Sequence, residues 1–358
     1  MSAARARVLV GCLLSTAMLL LAVGPIQPAS ARGQRPTPVG SDRFVANKPY
    51  RGDFPDPAIL KVGRTYFAYG TTTSSLNLPV MSSTDLVRWK SRGEGLAKPA
   101  AWAQQRRVGK RSVATTWAPT VARFGKWYLH AYATPVRGTK TRKMCISVAR
   151  SKHAWGGFVD RTRRPWVCPG NRGAIDPQFF TAPGGARYLL WKSEQTGGHK
   201  AQLWITPLSA DGLRLLSPTR HLLTVQEPWE GGIIENPSMI GYRGRYYLFY
   251  SGGSYDDNSY ATGYAVCRTP VGPCYRASSQ PLLATGGRVS GPGGAVAFYD
   301  GAMRLRLGYA AWDYGRAGYP KTAACLRQNL GCPQRRLHVA TLGASPDGSG
   351  ALVVTSRG

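Results

Sequence analysis

Three carboxylates stand close in front of prolines at widely separated points of the chain. Asp56 and Asp176 each directly precede a proline, and Glu235 stands two residues before one. The chain has only 17 acidic residues, and a carboxylate on an apolar wall is costly unless it has a partner or a task. Two facing carboxyl groups could cleave a glycosidic bond, one protonating the leaving oxygen and the other activating water. The alternative is that Asp-Pro and Glu-x-Pro form ordinary turns.

Two neighbouring carboxylates compete for these assignments. Glu230 precedes Glu235 by five residues but lacks the proline that follows Glu235. Asp53 precedes Asp56 by three residues, so in an extended strand its side chain would lie on the opposite face. We therefore assign the chemistry to Asp56, Asp176 and Glu235.

The elements that must position these carboxylates form a repeat. A turn glycine followed by an aromatic or apolar strand returns five times, at intervals of 57–62 residues; these glycines are Gly63, Gly125, Gly185, Gly244 and Gly301. About sixty residues hold four short strands with their turns, which is one blade of a β-propeller. The alternative is chance recurrence of hairpins in an all-β protein. The even period predicts an all-β fold: a five-bladed β-propeller with four-stranded blades around a central channel.

A proline precedes each repeat glycine by six to nine residues. The segments that begin at these prolines are therefore equivalent inner strands, and three of the five blades would present a carboxylate towards one axis. We place the propeller at residues 46–345, with a C-terminal tail at 346–358.

Several motifs in this repeat resemble glycoside hydrolase family 43. They are DFPDPA (53–58), STDLVRW (83–89), WAP (117–119), IDP (175–177) and ENP (235–237). The likeness covers about residues 46–315 in order. It implies that Asp56 is the general base, that Glu235 is the general acid, and that Asp176 orients the acid and raises its pKa.

Two further residues are candidates for binding substrate. The resemblance implies that Trp117 lines a sugar subsite, although packing between blades would also explain it. Arg288 could reach a sugar hydroxyl; the alternative is that Arg288 is a surface arginine without a role in binding. The expected ligand is a polysaccharide or oligosaccharide.

The fifth blade departs from the family pattern. The resemblance implies Gly-Pro-Gly-His there, with the histidine near a metal ion or water cluster, but this chain has Gly-Pro-Gly-Gly at 291–294. We therefore predict no metal ligands and no required cofactor, which leaves a structural metal ion in doubt.

The N-terminal residues and the cysteines indicate where the protein is located. Residues 1–31 combine a basic start, a short apolar run and a small-residue cleavage site, which predicts a signal peptide and a secreted, extracellular protein. Residues 32–45 read as a flexible leader, and no later segment is apolar enough for a transmembrane span. The six remaining cysteines form an even set that favours disulfides over a zinc site, and proximity suggests the pairs 145–168, 267–274 and 325–332.

The formal net charge of +30 has no recognition-helix or zinc-finger pattern to accompany it, so we predict no nucleic acid partner. Anionic cell-wall polymers or acidic polysaccharide are the more plausible partners; the alternative is an arginine-rich surface without a purpose. Together the residues predict a secreted, monomeric, inverting glycosidase, and the resemblance implies that it acts on pentose-rich polysaccharide and favours α-L-arabinofuranosyl over β-D-xylosyl linkages. The alternative is a non-catalytic propeller that binds glycan or cell wall.

Overall fold

The computed structural model describes residues 47–72, 76–139, 143–319 and 332–357. The predicted signal peptide, the predicted leader and Cys325 lie outside these ranges. Within them the chain forms strands and one short 3-10 helix. No helix in these ranges has the length and apolar character needed to cross a membrane.

The strands form five main sheets, each built mostly from consecutive antiparallel neighbours. The first sheet contains β1 (Ala58–Val62), β2 (Thr65–Tyr69), β3 (Pro79–Ser83) and β4 (Lys90–Glu94). The second contains β5 (Leu96–Lys98), β8 (Trp117–Phe124), β9 (Trp127–Pro135), β10 (Met144–Ser151) and β11 (Phe158–Asp160). The third contains β12 (Ile175–Thr181), β13 (Arg187–Ser193), β14 (Gln202–Leu208) and β15 (Arg220–Thr224).

The fourth and fifth sheets follow the same plan. The fourth contains β16 (Ile234–Tyr242), β17 (Arg245–Gly252), β18 (Ala261–Cys267) and β19 (Cys274–Arg276), preceded by the 3-10 helix Pro228–Glu230. The fifth contains β20 (Val289–Tyr299), β21 (Leu305–Asp313), β22 (Arg335–Ala344) and β23 (Leu352–Ser356). A separate hairpin contains β6 (Gln105–Val108) and β7 (Arg111–Ala114).

Tight turns join the first two strands of each sheet. Gly63 and Gly125 have φ angles of +58° and +60°, a conformation that glycine adopts without the steric penalty of a Cβ atom. The repeat glycines that mark the period therefore lie at the inner hairpins, at the opposite end from the carboxylates that begin these strands.

The five sheets close into a ring. Each inner strand packs against the next, and β20 of the last sheet packs against β1 of the first. A cluster of buried apolar side chains fills each gap between neighbouring sheets; in the closing gap the rings of Tyr66 and Phe298 lie 6.3 Å apart. Because each sheet buries both faces against its neighbours, the ring is held mainly by the hydrophobic effect. The predicted five-bladed propeller is confirmed.

The structure differs from the prediction in two details: the number of strands in the second blade and the residue at which the propeller ends. In the second blade, β5 pairs in parallel with β11 and adds a fifth strand. Strand β23 completes the fifth blade and lies within residues 346–358, so the sheet extends past residue 345 into the segment read as a tail.

Two disulfides join the predicted pairs Cys145–Cys168 and Cys267–Cys274. The first links the second blade to the connection that follows it, and the second crosses between the neighbouring strands β18 and β19. The third predicted pair involves Cys325, which lies outside the described residues.

Candidate active site

The backbone turns in the same way at the start of every inner strand. The residue before each repeat proline has a positive φ of 43–58°: Asp56, Ala118, Asp176, Asn236 and Gly291. A side-chain-bearing residue held in this region costs about 1–3 kcal/mol, and such strain collects at functional sites. In the last four blades the strand register also shifts at this point, as expected of β-bulges, which re-aim side chains.

This turn gives the three predicted carboxylates two different positions. Asp56 and Asp176 hold the left-handed position itself, whereas in the fourth blade that position belongs to Asn236. Glu235 comes one residue earlier, as Trp117 does in the second blade. The three carboxylates converge on one end of the channel, but Glu235 is not equivalent to the other two along its strand.

Asp56 is oriented by two donors. Thr71 donates its hydroxyl hydrogen to Asp56 Oδ2 at 2.7 Å, and Arg335 Nη1 lies 3.4 Å from Asp56 Oδ1. Thr71 in turn accepts a hydrogen bond from the backbone N–H of Ala118, which connects the first blade to the second. The Asp56 side chain retains 18% of its exposure, so a water molecule can approach it from the channel mouth.

Glu235 is held by two residues that the sequence analysis did not assign. Lys192 Nζ lies 2.9 Å from Glu235 Oε2, and the hydroxyl of Tyr260 donates to Glu235 Oε1 at 2.7 Å. Lys192 belongs to β13, where a lysine follows the apolar run Leu189–Trp191 on a strand that is otherwise buried. That interruption of an apolar strand by a cation was the available sequence signal.

Asp176 and Glu235 form a coupled pair of carboxyls. Burial raises the pKa of Asp176 well above its ordinary value, and the charge of Glu235 raises it further. Burial also acts to raise the pKa of Glu235, but the charge and hydrogen bond of Lys192 and the hydrogen bond of Tyr260 hold it below its ordinary value. The pair therefore loses one proton at low pH and the second at high pH.

In the unliganded site the pKa of Asp176 is raised and that of Glu235 is lowered. This differs from the expectation that Asp176 raises the pKa of Glu235. The reason is the buried ammonium of Lys192, which stabilises the charged form of Glu235 more than the neighbouring carboxyl disfavours it.

A second layer of buried polar groups lies behind Asp56. Asp53 Oδ1 accepts a hydrogen bond from the backbone N–H of Arg335 at 2.8 Å, and the hydroxyl of Tyr319 lies 3.1 Å from the same oxygen. Burial raises the pKa of Asp53 to about 6, against the lowering effect of Arg335. Asp53 thus supports Arg335, whereas Asp56 lines the channel; both residues precede β1, so strand alternation does not separate them.

Arg335 is itself a site residue that sequence reasoning missed. Its side chain is 2% exposed, it stacks over the ring of Tyr260 at 5.1 Å, and its Nε and Nη2 atoms have no hydrogen-bond partner among the described residues. Nothing in the sequence separated it from the other 46 cationic residues, because its partner Asp56 is 279 positions away.

The other candidate residues have three different environments. Trp117 packs partly into the apolar cluster between the second and third blades. Arg288 is exposed in the turn before β20 and makes none of the described contacts of the three carboxylates. The rival acid Glu230 is fully buried, and both of its oxygens accept hydrogen bonds from the guanidinium of Arg276, so its role is structural.

The channel beneath the carboxylates is narrow, with a cavity of about 30 Å³. Gly294 lines it where the resemblance implies a histidine. A Cβ atom there would lie 2.7 Å from Asp56 Oδ1, so a histidine would displace that carboxylate. In the described part of the chain no three His, Cys, Asp or Glu side chains gather around one point. These residues do not fit a resident metal ion.

Comparison with known proteins shows which family the chain resembles over most of its length. The family model of Glycosyl hydrolases family 43 matches residues 46–322. The extracellular endo-alpha-(1->5)-L-arabinanase 1 of Bacillus subtilis is 26% identical over 280 residues, which cover 73% of this chain and 81% of that protein. The xylan 1,3-beta-xylosidase of a Vibrio species is 25% identical over 63% of this chain but only 40% of that protein.

A solved structure shares the fold as well. The crystal structure of a thermostable family-43 glycoside hydrolase has a TM-score of 0.70 and 25% sequence identity, covering 88% of this chain and 96% of that chain.

Proposed function

The chain belongs to glycosyl hydrolase family 43, and we propose that it is a secreted, inverting glycosidase acting on α-L-arabinofuranosyl linkages, with Asp56 as base and Glu235 as acid. The observation that carries this proposal is the unequal environment of the two carboxyls at one channel mouth. Asp56 is oriented by two hydrogen-bond donors, whereas Glu235 belongs to a pair that keeps one proton over a wide pH range.

In the proposed reaction, Asp56 removes a proton from water as the water oxygen attacks the anomeric carbon. The bond from that carbon to the leaving oxygen breaks, and Glu235 supplies the proton that the oxygen acquires. A single displacement of this kind inverts the anomeric configuration. Bond cleavage requires the proton of the Asp176–Glu235 pair to be on Glu235.

Arg335 supports the binding part of the proposal. Its Nε and Nη2 atoms have no hydrogen-bond partner among the described residues, and its guanidinium contacts both Asp56 and the ring of Tyr260. A buried guanidinium gains from any acceptor that reaches it. Sugar hydroxyls provide such acceptors. Arg335 therefore replaces Arg288 as the proposed arginine for holding the sugar beside the base.

The proposed sugar and location rest on the relatives. A relative matched over 81% of its own length is named an extracellular arabinanase, which supports an arabinofuranosyl substrate over a xylosyl one. Two disulfides are typical of proteins in oxidising compartments, which supports secretion.

The test is product release from linear arabinan, arabinoxylan and xylo-oligosaccharides by the purified protein, with proton NMR to follow the first anomer formed. We expect arabinose or arabino-oligosaccharides of inverted configuration. Glu235→Gln and Asp56→Asn should each lower kcat by at least about 100-fold, whereas Asp211→Asn, an exposed carboxylate in the β14–β15 connection, should match the wild type. Retained configuration would exclude the inverting mechanism. Glycan binding without any release would favour the non-catalytic propeller.

A further inference from the structure

A second cavity, larger than the channel, opens between the first two blades. Its volume is about 730 Å³, within the ~300–1,000 Å³ typical of small-ligand sites. We call it the basic groove. Its lining includes Asn77, Lys98, Gln105, Lys110, Arg111, Ser112 and Arg137.

Among the described residues, the lining of the basic groove carries four cations and no carboxylate. Arg111 is paired with Glu94 behind the wall, and Arg137 donates to a backbone carbonyl. Lys98 and Lys110 are exposed and have no ion-pair partner among the described residues. Two unpaired ammonium groups and two guanidinium groups around one concave volume form a site for anions, because low-dielectric walls concentrate the field of the charges.

The basic groove opens on the same face as the candidate active site. Its walls come from the β2–β3 loop, the β5–β8 connection with its hairpin, and the residues after β9. The β5–β8 connection leads into the first residue of β8, Trp117, and Trp117 pairs with Ala133 near the end of β9. The second and third walls therefore meet at the start of the inner strand β8. All three walls therefore belong to the channel-mouth end of the sheets.

Hydrogen bonds connect the groove to the proposed base. Asn77 on the groove wall accepts a hydrogen bond from the hydroxyl of Thr72 through its carbonyl at 3.1 Å, and Thr116 donates to the same carbonyl. Thr71, the residue directly before Thr72, donates its hydroxyl hydrogen to Asp56 at 2.7 Å. The groove wall and the proposed base are therefore linked through the adjacent residues Thr71 and Thr72.

We propose that the basic groove is a subsite for a uronic acid residue, so that the enzyme prefers polysaccharide bearing carboxylate sugars near the bond it cleaves. This inference rests on the proposed function, because it places the anion on the same polymer as the scissile bond. Guanidinium groups pair with carboxylates in two-point contacts, while the neutral groups Asn77, Gln105 and Ser112 suit the hydroxyls of a sugar ring. Galacturonosyl and glucuronosyl residues share this chemistry.

The test is calorimetric titration of the full chain at low salt with oligogalacturonides, with glucuronosyl-substituted xylo-oligosaccharides and with neutral arabino-oligosaccharides. The variant Lys98→Gln/Lys110→Gln removes the two unpaired cations without touching a described hydrogen bond. Its matched control is Lys61→Gln/Lys126→Gln, which loses the same charge at the opposite ends of the inner hairpins. We expect at least one acidic oligosaccharide to bind at least tenfold more tightly than the neutral one, and the groove variant alone to lose that advantage. The stronger acidic ligand identifies the source of the carboxylate.

Equal losses in the groove variant and its control would overturn the inference, since charge alone would then explain binding. Tighter binding of inorganic polyphosphate than of either uronate would overturn the choice of a carboxylate sugar. Both double variants should hydrolyse a small neutral arabinofuranoside at the wild-type rate. Equal rates of hydrolysis of acidic and neutral polymers would refute the uronate subsite but not the proposed function. Uronate binding at the groove without any hydrolysis would support the subsite but refute the proposed function.

Discussion

The ammonium nitrogen of Lys192 lies 2.9 Å from Oε2 of Glu235 and 3.2 Å from Oε2 of Glu194. The lysine side chain is 3% exposed, so the ion pair is little screened by solvent. It gives the buried Asp176–Glu235 pair a counter-charge and thereby sets how readily its second proton is lost. Lys192 is therefore a positioning residue that acts on the proposed acid rather than on the sugar.

Replacing Lys192 with methionine should shift the pH dependence of activity. Without the cation, the pKa values of both carboxyls rise, because an opposite charge at this distance lowers a carboxyl pKa by about 1–3 units. The alkaline limb of kcat/KM, which reports loss of the pair's last proton in the free enzyme, should move to higher pH by about one unit or more. Lys192→Arg, which keeps the charge, should leave it near the wild-type position. An unmoved limb in Lys192→Met would show that the lysine does not control the acid.

Gly294→Ala should impair catalysis through Asp56. The added Cβ atom would meet Asp56 Oδ1 at 2.7 Å and Asp56 Cα at 3.2 Å, and a displacement of about 1 Å at a catalytic group can cost about 100-fold in rate. Gly287→Ala is the matched control, because Gly287 has a similar φ of +65° but no atom within 4 Å of an added Cβ. Steady-state kinetics should show a large fall in kcat for Gly294→Ala only. Equal falls would assign the effect to backbone strain.

Glu230→Gln should destabilise the fold without changing the chemistry. The variant removes the charge that pairs with Arg276, whose Nε lies 2.7 Å from Glu230 Oε1, and breaking a buried pair costs about 3–5 kcal/mol. Urea denaturation should show a loss of this order in the free energy of unfolding, with kcat per folded molecule unchanged. A fall in kcat with unchanged stability would make Glu230 the stronger candidate for the acid.

The free energy of unfolding should decrease as the pH rises from about 4 to about 6, because of Asp53. Burial raises its pKa from 3.8 to about 6, so the folded state binds this proton more tightly than the unfolded state. The stabilisation is fully present below the unfolded pKa and is lost as pH rises through 6, amounting to about 3 kcal/mol at 1.36 kcal/mol per unit. Asp53→Asn should remove that part of the slope when unfolding is measured from pH 4 to pH 7. An unchanged slope would contradict the raised pKa.

The sequence alone was enough to predict the architecture and the three carboxylates. The turn glycines and inner prolines recur with the period of a blade, and a blade cannot bury its faces without neighbours, so the period carries the fold. Asp56 and Glu235 were found because each stands one or two residues before a proline within that period. Their roles as base and acid were implied by resemblance and remain proposals.

Tertiary structure decided what surrounds these carboxylates. Lys192, Tyr260 and Arg335 reach the site from strands or connections that no local pattern joins to Asp56 or Glu235, and Arg288, chosen for its nearness in sequence, lies on the surface. The fifth strand of the second blade and the walls of the basic groove also come from connections without periodicity. Local sequence sets strand and turn propensity, whereas the pKa of a buried group depends on charges that only the closure of the ring brings within a few ångströms.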